Sequence, residues 1–186
     1  MQGFFCFNRA MSSPQVVQCT LEEHGEAIRE ILNDAIVNST ALFDYEPRTQ
    51  ANMVAWFEAK TVGNYPVIGL VNDEGVLMGF GSLGSFRPFP ANKYTVEHSV
   101  YVHKDFRGQG FGKQLLELLI DAATKLEFHV MLGGIDASNT ASIHLHTQLG
   151  FVHVGTLPEV GYKFGRWLDL AFYQLTLPTP GNPSDS

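Results

Sequence analysis

Cysteine is scarce in this chain: there are two, Cys6 and Cys19, among 186 residues. Two thiols cannot form the framework of a disulfide-stapled domain, and no CxxC or Cys/His spacing accompanies them that would suggest zinc. Positive charge is scarce as well, with 12 Lys and Arg against 19 Asp and Glu and a net charge of −7. A general nucleic-acid binder needs a basic face to displace counterions, so that class is disfavoured. No apolar run approaches the roughly 18 to 20 residues that cross a bilayer. There is neither an internal repeat nor a low-complexity core. What is present is a globular composition, 45% hydrophobic and 17% charged, in a length that suits one domain with its own core. Such a chain is expected in a reducing compartment, the cytoplasm, without membrane or nucleic-acid partners.

Both ends differ from the middle. Residues 1–14 hold a short apolar cluster, Phe4, Phe5, Cys6 and Phe7, followed by Arg9 and Ser12-Ser13-Pro14. A secretory leader has basic residues first and a longer apolar stretch, so a disordered extension is expected here. Residues 178–186 contain three prolines and no periodicity, which predicts a disordered tail. The folded unit is expected over residues 15–177.

Within that unit Val16 and Val17 suggest a first strand, and Thr20-Leu-Glu-Glu23 fits a capping box. Ala27, Ile28, Ile31, Leu32, Ala35 and Ile36 then recur at helical spacing. Thr49 could cap a second helix with Met53, Trp56 and Phe57 inward. Residues 67–71 and 76–86 read as strands joined by the turn Asn72-Asp-Glu-Gly75. Further strands are predicted over 94–102, 130–135, 151–157 and 168–176, with helices over 110–126 and 140–149. Helices interrupt a run of strands, so the class is mixed α/β around one sheet.

Arg107-Gly108-Gln109-Gly110-Phe111-Gly112 lies between a predicted strand and a predicted helix. Glycines let backbone approach a ligand closely and take positive φ, and a helix start offers open N–H groups and the positive dipole end. The combination is an anion site. It is not a P-loop, since Arg107 and Gln114 stand where Gly and Ser/Thr are required. It is not a dinucleotide fingerprint either, since Lys113 stands at the last glycine.

Arg107-x-x-Gly110-x-Gly112 resembles the acetyl-CoA pyrophosphate signature of the GCN5-related N-acetyltransferases. The resemblance is closer to the phosphinothricin and methionine sulfoximine acetyltransferase branch. It is carried by Arg87-Pro88-Phe89, by Thr95-Val-Glu-His-Ser-Val-Tyr-Val102, by Asn139-x-x-Ser142, by His146-x-x-x-Gly150-Phe151 and by Gly161-Tyr-Lys-Phe-Gly-Arg-Trp-Leu-Asp169. These segments run in order through nearly the whole folded unit. The resemblance implies a single acyltransferase domain, a mixed central sheet flanked by helices, acetyl-CoA as acyl donor and a homodimer.

Its chemistry falls on particular residues. Backbone N–H groups from Gly108, Gln109, Gly110, Phe111, Gly112 and Lys113 would hold the pyrophosphate, so Gly110 and Gly112 should tolerate substitution worst. The backbone of Val100, Tyr101 and Val102 would pair with the pantetheine arm like an added strand and point one N–H at the thioester oxygen. Glu97 is the candidate general base for the acceptor amine. At period 2 it shares a face with Ser99 and Tyr101, with His98, Val100 and Val102 on the other. His98 and Ser99 are candidate pocket residues, with hydrogen-bonded packing an equal alternative for both. Arg87 could bind a carboxylate bidentately, with Pro88 and Phe89 walling the pocket. Asn139 could bond the pantetheine amide or cap the following helix, and Ser138 could cap while Asn139 binds, with Ser142 beside it. His146 occupies a position where many relatives carry a tyrosine proposed to protonate the departing thiolate, a task open to histidine near neutral pH, with a packing histidine as the alternative. Phe43-Asp-Tyr-Glu46 resembles a substrate-covering segment.

No Ser or Cys beside a base stands out as nucleophile, so attack is expected directly within a ternary complex, without metal. The expected acceptor is a small amino-acid analogue. The alternatives are another amine, such as a polyamine or protein N-terminus, and a non-catalytic acyl-CoA-binding module.

Overall fold

Among the described residues seven strands form one sheet in the order β1-β2-β3-β4-β5-β7-β6. The coordinates, a computed structural model, describe residues 13–185. The expected extension over residues 1–14 lies almost wholly outside them. The strands are β1 (Gln15–Gln18), β2 (Val67–Val71), β3 (Leu77–Ser85), β4 (Thr95–Val102), β5 (Val130–Asp136), β6 (Val152–Lys163) and β7 (Arg166–Thr176); the helices are α1 (Leu21–Asn38), α2 (Gln50–Val62), α3 (Phe111–Lys125) and α4 (Thr140–Gln148). Every neighbouring pair is antiparallel except β4 and β5. Among the described residues no helix is long and apolar enough to cross a membrane.

Helix starts follow the sequence signals, with one exchange of partner. The Thr20 hydroxyl accepts from the Glu23 N–H at 3.2 Å. The reciprocal bond expected from Glu23 is made by His24 instead, whose Nδ1 accepts from the Thr20 N–H at 3.3 Å. Thr49 and Asn52 complete a full capping box at α2.

The sheet has an apolar layer on each face. Ile28, Ile31 and Leu32 of α1 join Met53 and Phe57 of α2 over Phe80. On the opposite face Leu116, Leu119 and Ala123 of α3 pack with Val96, Met131 and Phe151. Burial of each such Leu, Ile or Phe side chain stabilises the fold by about 1.5–3 kcal/mol. The period-2 alternation of β4 therefore sorts its side chains: Val96 and Val100 join the α3 side, and Tyr101 joins the α1–α2 side.

Two segments differ from expectation. The last hairpin is much longer than residues 151–157 and 168–176, because β6 reaches Lys163 and β7 begins at Arg166. Its pattern was hidden by Pro158 and by a bulge. The register steps from Leu157↔Leu170 to Gly161↔Leu168, with Glu159 at φ +53° and its N–H held by Asp169 Oδ1 at 2.8 Å. The two-residue turn has positive φ at both Phe164 (+52°) and Gly165 (+74°), the geometry that suits right-twisted hairpins. The C-terminal segment, expected as a disordered tail, lacks regular structure but is tied down. The Thr179 hydroxyl donates to the Phe128 carbonyl at 2.5 Å, and the Ser184 N–H donates to the Tyr94 hydroxyl at 3.1 Å.

Candidate active site

The sheet forks at its centre. β4 pairs with β5 only from Thr95↔Val130 to Glu97↔Leu132. β4 continues to Val102 against β3, and β5 continues to Asp136 against β7. Past Glu97 the two strands therefore run without each other. His103 donates its N–H to Met78 O, so antiparallel alternation turns the backbone groups of Tyr101 and Ser99 toward β3 and those of Val100 and Val102 into the opening. The Val102 carbonyl there accepts from Arg107 Nε at 3.2 Å.

Two adjacent glycines of β5, Gly133 and Gly134, make room at the fork, one for each face. A Cβ on Gly133 would stand 2.6 Å from the His98 ring and 3.2 Å from His146 Nε2. A Cβ on Gly134 would stand 3.2 Å from Glu97 Oε1. A glycine inside a strand often marks such close approach. That signal was available in the sequence and was missed.

On the α1–α2 face Glu97 is half-buried, and burial raises its carboxyl pKa above the ordinary value while Lys60 pulls it the other way. Sequence reasoning did not find Lys60. Its ammonium donates to the Leu83 carbonyl at 2.5 Å, lies 5.1 Å from the Trp56 ring centroid, and stands over Gly84, which pairs with Glu97. Burial and the nearby Arg48 charge hold Lys60 down to about 8. Tyr101 shares this face and is pushed up to about 12 by burial, with the Ser99 hydroxyl as its hydrogen-bond partner. Arg48 is fixed by its backbone: its N–H donates to Asn33 Oδ1 at 2.7 Å and its carbonyl accepts from Asn33 Nδ2 at 3.1 Å. Arg48, Asp44, Tyr45 and Trp56 line a cavity of about 600 Å³.

The opposite face holds His98 and His146. The sequence placed His98 in Glu97's pocket or in packing; its ring is buried on the far side of the sheet, between the Leu132 carbonyl, His146 and Phe151.

At the end of β4 the chain turns through Gly108 (φ +77°) and Gly110 (φ +86°) into α3. Gly110 is the N-cap, and among the described residues no side chain caps the helix. The N–H groups of the first turn are thereby left without a capping side chain. Phe111 is core, so only its backbone can serve a ligand there. Gly112 differs from Gly110 in its backbone: it does not have positive φ, and a Cβ there would meet the protein atoms of Leu145 and Val102 at ordinary distances of 3.6 and 3.8 Å. Gln109 and Lys113 are exposed. Arg107 is anchored by Asp34 of α1, with Nη2 at 2.7 Å from Oδ2.

Asn139, not Ser138, is the N-cap of α4. Its Oδ1 accepts from the Ser142 N–H at 3.1 Å, whereas Ser138 is turned to Asp136. The Asn139 amide nitrogen is the atom left to reach a ligand. Arg87, Pro88 and Phe89 lie on the exposed loop after β3. The Arg87 guanidinium stacks over Phe86 at 5.4 Å, and among the described residues it makes no hydrogen bond or ion pair with Glu97, Ser99 or Tyr101.

The late hairpin has a definite task. Lys163 donates to three carbonyls at and beyond the end of α1: Ile36 at 2.6 Å, Ser39 at 2.9 Å and Leu42 at 2.7 Å. The Tyr45 hydroxyl donates to the Tyr162 carbonyl at 2.6 Å, and Phe43 packs on Gly161, where a Cβ would come within 2.7 Å of its ring. Arg166 pairs with buried Asp136 at 3.2 Å. The hairpin thus fixes the segment carrying Phe43 and Asp44 against the open side of the sheet.

This geometry has close parallels. The profile of the acetyltransferase (GNAT) family matches residues 26–151. The chain is 50% identical over 152 residues to the L-amino acid N-acyltransferase MnaT of Escherichia coli (strain K12), covering 81% of this chain and 87% of that one. It is 48% identical over 157 residues to the L-methionine sulfoximine/L-methionine sulfone acetyltransferase of Pseudomonas paraeruginosa, covering 84% and 91%. A phosphinothricin N-acetyltransferase of Alcaligenes faecalis is 34% identical, with 81% and 77% covered. Among solved structures, an acetyltransferase from Salmonella typhimurium with its cofactor acetyl-CoA superposes with a TM-score of 0.87 at 42% identity, covering 93% of this chain and 99% of that one.

Proposed function

The chain belongs to the GNAT acetyltransferase family, and from that membership we propose that it moves an acetyl group from acetyl-CoA to the α-amine of a small amino-acid-like acceptor. Methionine sulfoximine, methionine sulfone and phosphinothricin define the acceptor class. The observation that carries the reading is the forked sheet, with a carboxylate on one face and an uncapped helix start at its open end. Acetyl-CoA supplies the activated thioester; the remaining chemistry belongs to this chain's residues.

The open N–H groups from Gly108 to Lys113 suit a pyrophosphate. The backbone of Val100 and Val102 suits the pantetheine amides, which would pair there as an added strand. Asn139 Nδ2 can support the same arm. Glu97 takes a proton from the acceptor's ammonium so that the amine can attack. Its raised pKa brings its basicity nearer the working range. Lys60 and Arg48 supply positive charge on that face for an acceptor carboxylate, with Arg87 on the adjoining loop. His146 stands on the other side of the fork as the acid for the departing sulfur.

A homodimer through the last hairpin also belongs to this reading. Val152, Val160, Phe164 and Trp167 are all about half exposed or more, on a strand pair that ends the sheet. A second copy covering this surface would bury that edge, and light scattering on the purified protein tests it. The buried free thiol of Cys19 suits a cytoplasmic setting.

The assay is CoA release from acetyl-CoA with methionine sulfone, methionine sulfoximine, phosphinothricin, free amino acids, spermidine and a peptide amine. Turnover concentrated on the first three supports the reading. Turnover confined to spermidine or the peptide would keep the acyl donor and overturn the acceptor.

A further inference from the structure

The imidazoles of His98 and His146 meet through their Nε2 atoms, 2.8 Å apart. The other nitrogen of each ring also has a fixed partner, in both cases a backbone carbonyl. His98 Nδ1 is 2.7 Å from Leu132 O, and His146 Nδ1 is 2.7 Å from Ser142 O. A carbonyl only accepts, so each Nδ1 must carry a hydrogen. The bond between the two Nε2 atoms needs one hydrogen more. Three contacts thus require three ring hydrogens, and two neutral imidazoles carry two. The set is complete only when the pair holds a single extra proton.

The surroundings bound that proton's affinity. Beside the rings stand the Ser142 hydroxyl, 3.5 Å from His146 Nδ1, the Phe151 ring, 5.4 and 5.1 Å from the two centroids, and Gly133, which has no side chain. Glu97 is next to His98 in β4 but projects from the other face, and His144 of α4 turns outward to Gln148. Among the described residues no carboxylate contacts either ring. Burial disfavours the charge, pushing His98 down to about 3 and His146 downward as well. Losing the proton, however, leaves either two bare Nε2 atoms in contact or a carbonyl facing a bare Nδ1, and a buried polar group without its partner costs about 1–3 kcal/mol. A proton held by geometry against burial is one that is readily given up.

We propose that His98 and His146 act as one unit sharing a single transferable proton, with His98 as the positioning residue that sets the protonation state of His146. This rests on the acetyl-transfer reading above. In the step concerned, the amine nitrogen bonds to the acetyl carbon and the C–S bond breaks with its electron pair on sulfur. The shared proton passes from the pair to sulfur, and the surplus proton on nitrogen goes to Glu97, which has by then released to solvent the one it took from the ammonium. Glu97 then releases one proton to solvent and the pair takes one up, so each turnover starts with the same count.

The direct test is nitrogen NMR of the ring-labelled protein at pH 7, which counts hydrogens on the two imidazoles and needs no turnover. Three hydrogens on the pair are expected; two would overturn the proposal without touching the acetyl-transfer reading. Kinetics add a second readout. His98→Gln and His146→Gln should each lower kcat by about 10²-fold, a loss typical of a removed acid, with the KM for acetyl-CoA little changed. The double variant should lose no more than either single one. Both should remove the alkaline fall in kcat that marks loss of the shared proton. Multiplicative losses, or an unchanged pH profile in His98→Gln, would reduce His98 to packing. If a variant fails to fold, the NMR count decides alone.

Discussion

Replacing Lys163 by methionine tests how the late hairpin supports the acceptor side. The ammonium is buried with three carbonyl partners at 2.6–2.9 Å. One of them, Ile36 O, belongs to the last turn of α1, which contains no basic residue of its own. Lys163 is therefore a helix cap delivered from the other end of the chain. A hydrogen bond to a charged donor contributes about 1.5–3 kcal/mol, so three give a gross value of roughly 4.5–9 kcal/mol. Removing the ammonium also removes its own burial cost, and the partly exposed carbonyls of Ser39 and Leu42 can be rehydrated. The Ile36 carbonyl is harder to rehydrate, because Ile36 is fully buried. The net loss is about 2–4 kcal/mol. For a domain of this size that corresponds to a fall in Tm of roughly 5–15 °C. Urea denaturation should show a lower midpoint with an unchanged slope. Phe43 and Asp44 follow directly on the anchored carbonyls, so the acceptor KM should rise while the KM for acetyl-CoA stays near its original value. A loss under about 0.5 kcal/mol with both KM values unchanged would refute the anchoring role.

Glu97→Gln should lower kcat by about 10²-fold or more at neutral pH. A carboxyl whose pKa is raised in the folded state costs stability once pH exceeds that pKa, so the same variant should be no less stable, and somewhat more stable, in thermal melts at pH 7. Lys60→Met removes the charge that opposes this rise, so the acid limb of the rate, where Glu97 becomes protonated, should move to higher pH. An unmoved limb would separate Lys60 from Glu97. Gly110→Ala places a side chain at φ +86° and should cost about 1–2 kcal/mol with a raised KM for acetyl-CoA. Gly112→Ala should be neutral or stabilising by up to about 1 kcal/mol in melts, since it gains helix propensity in available space.

Much of this arrangement was legible in the residues. The 3.6-residue spacing of Ile28, Ile31, Leu32 and Ile36 marked the buried side of α1, and period 2 in β4 separated Glu97 and Tyr101 from Val100. Both patterns are consequences of burial on one face, which a sequence records directly. The β6–β7 hairpin was foreshortened because it is exposed along most of its length and broken by a bulge, so no burial period exists to be seen. Lys60, Arg48 and Lys163 were missed for a different reason. Their roles depend on partners 15 to 127 residues away, and a lone Lys or Arg in sequence reads as a solvated surface charge. Gly133-Gly134 did carry a local signal, two glycines inside a strand, whose meaning needed the two histidines and the carboxylate that pack against them. The Asn139 cap shows a subtler limit: Ser138 and Asn139 are both good caps, and the choice was made by Asp136, which takes both the Ser138 hydroxyl and its N–H.

The decisive measurement is mass-spectrometric analysis of the product formed from acetyl-CoA and methionine sulfone by the wild-type protein and by Glu97→Gln at pH 7.5. Rapid acetylation on the α-nitrogen by the wild-type protein, falling by about 10²-fold in the variant while acetyl-CoA binding persists, is the expected result. No N-acetylated product from the wild-type protein, or equal rates from the two, would contradict the assignment of the forked sheet and Glu97 as an amino-acid acetyl-transfer site.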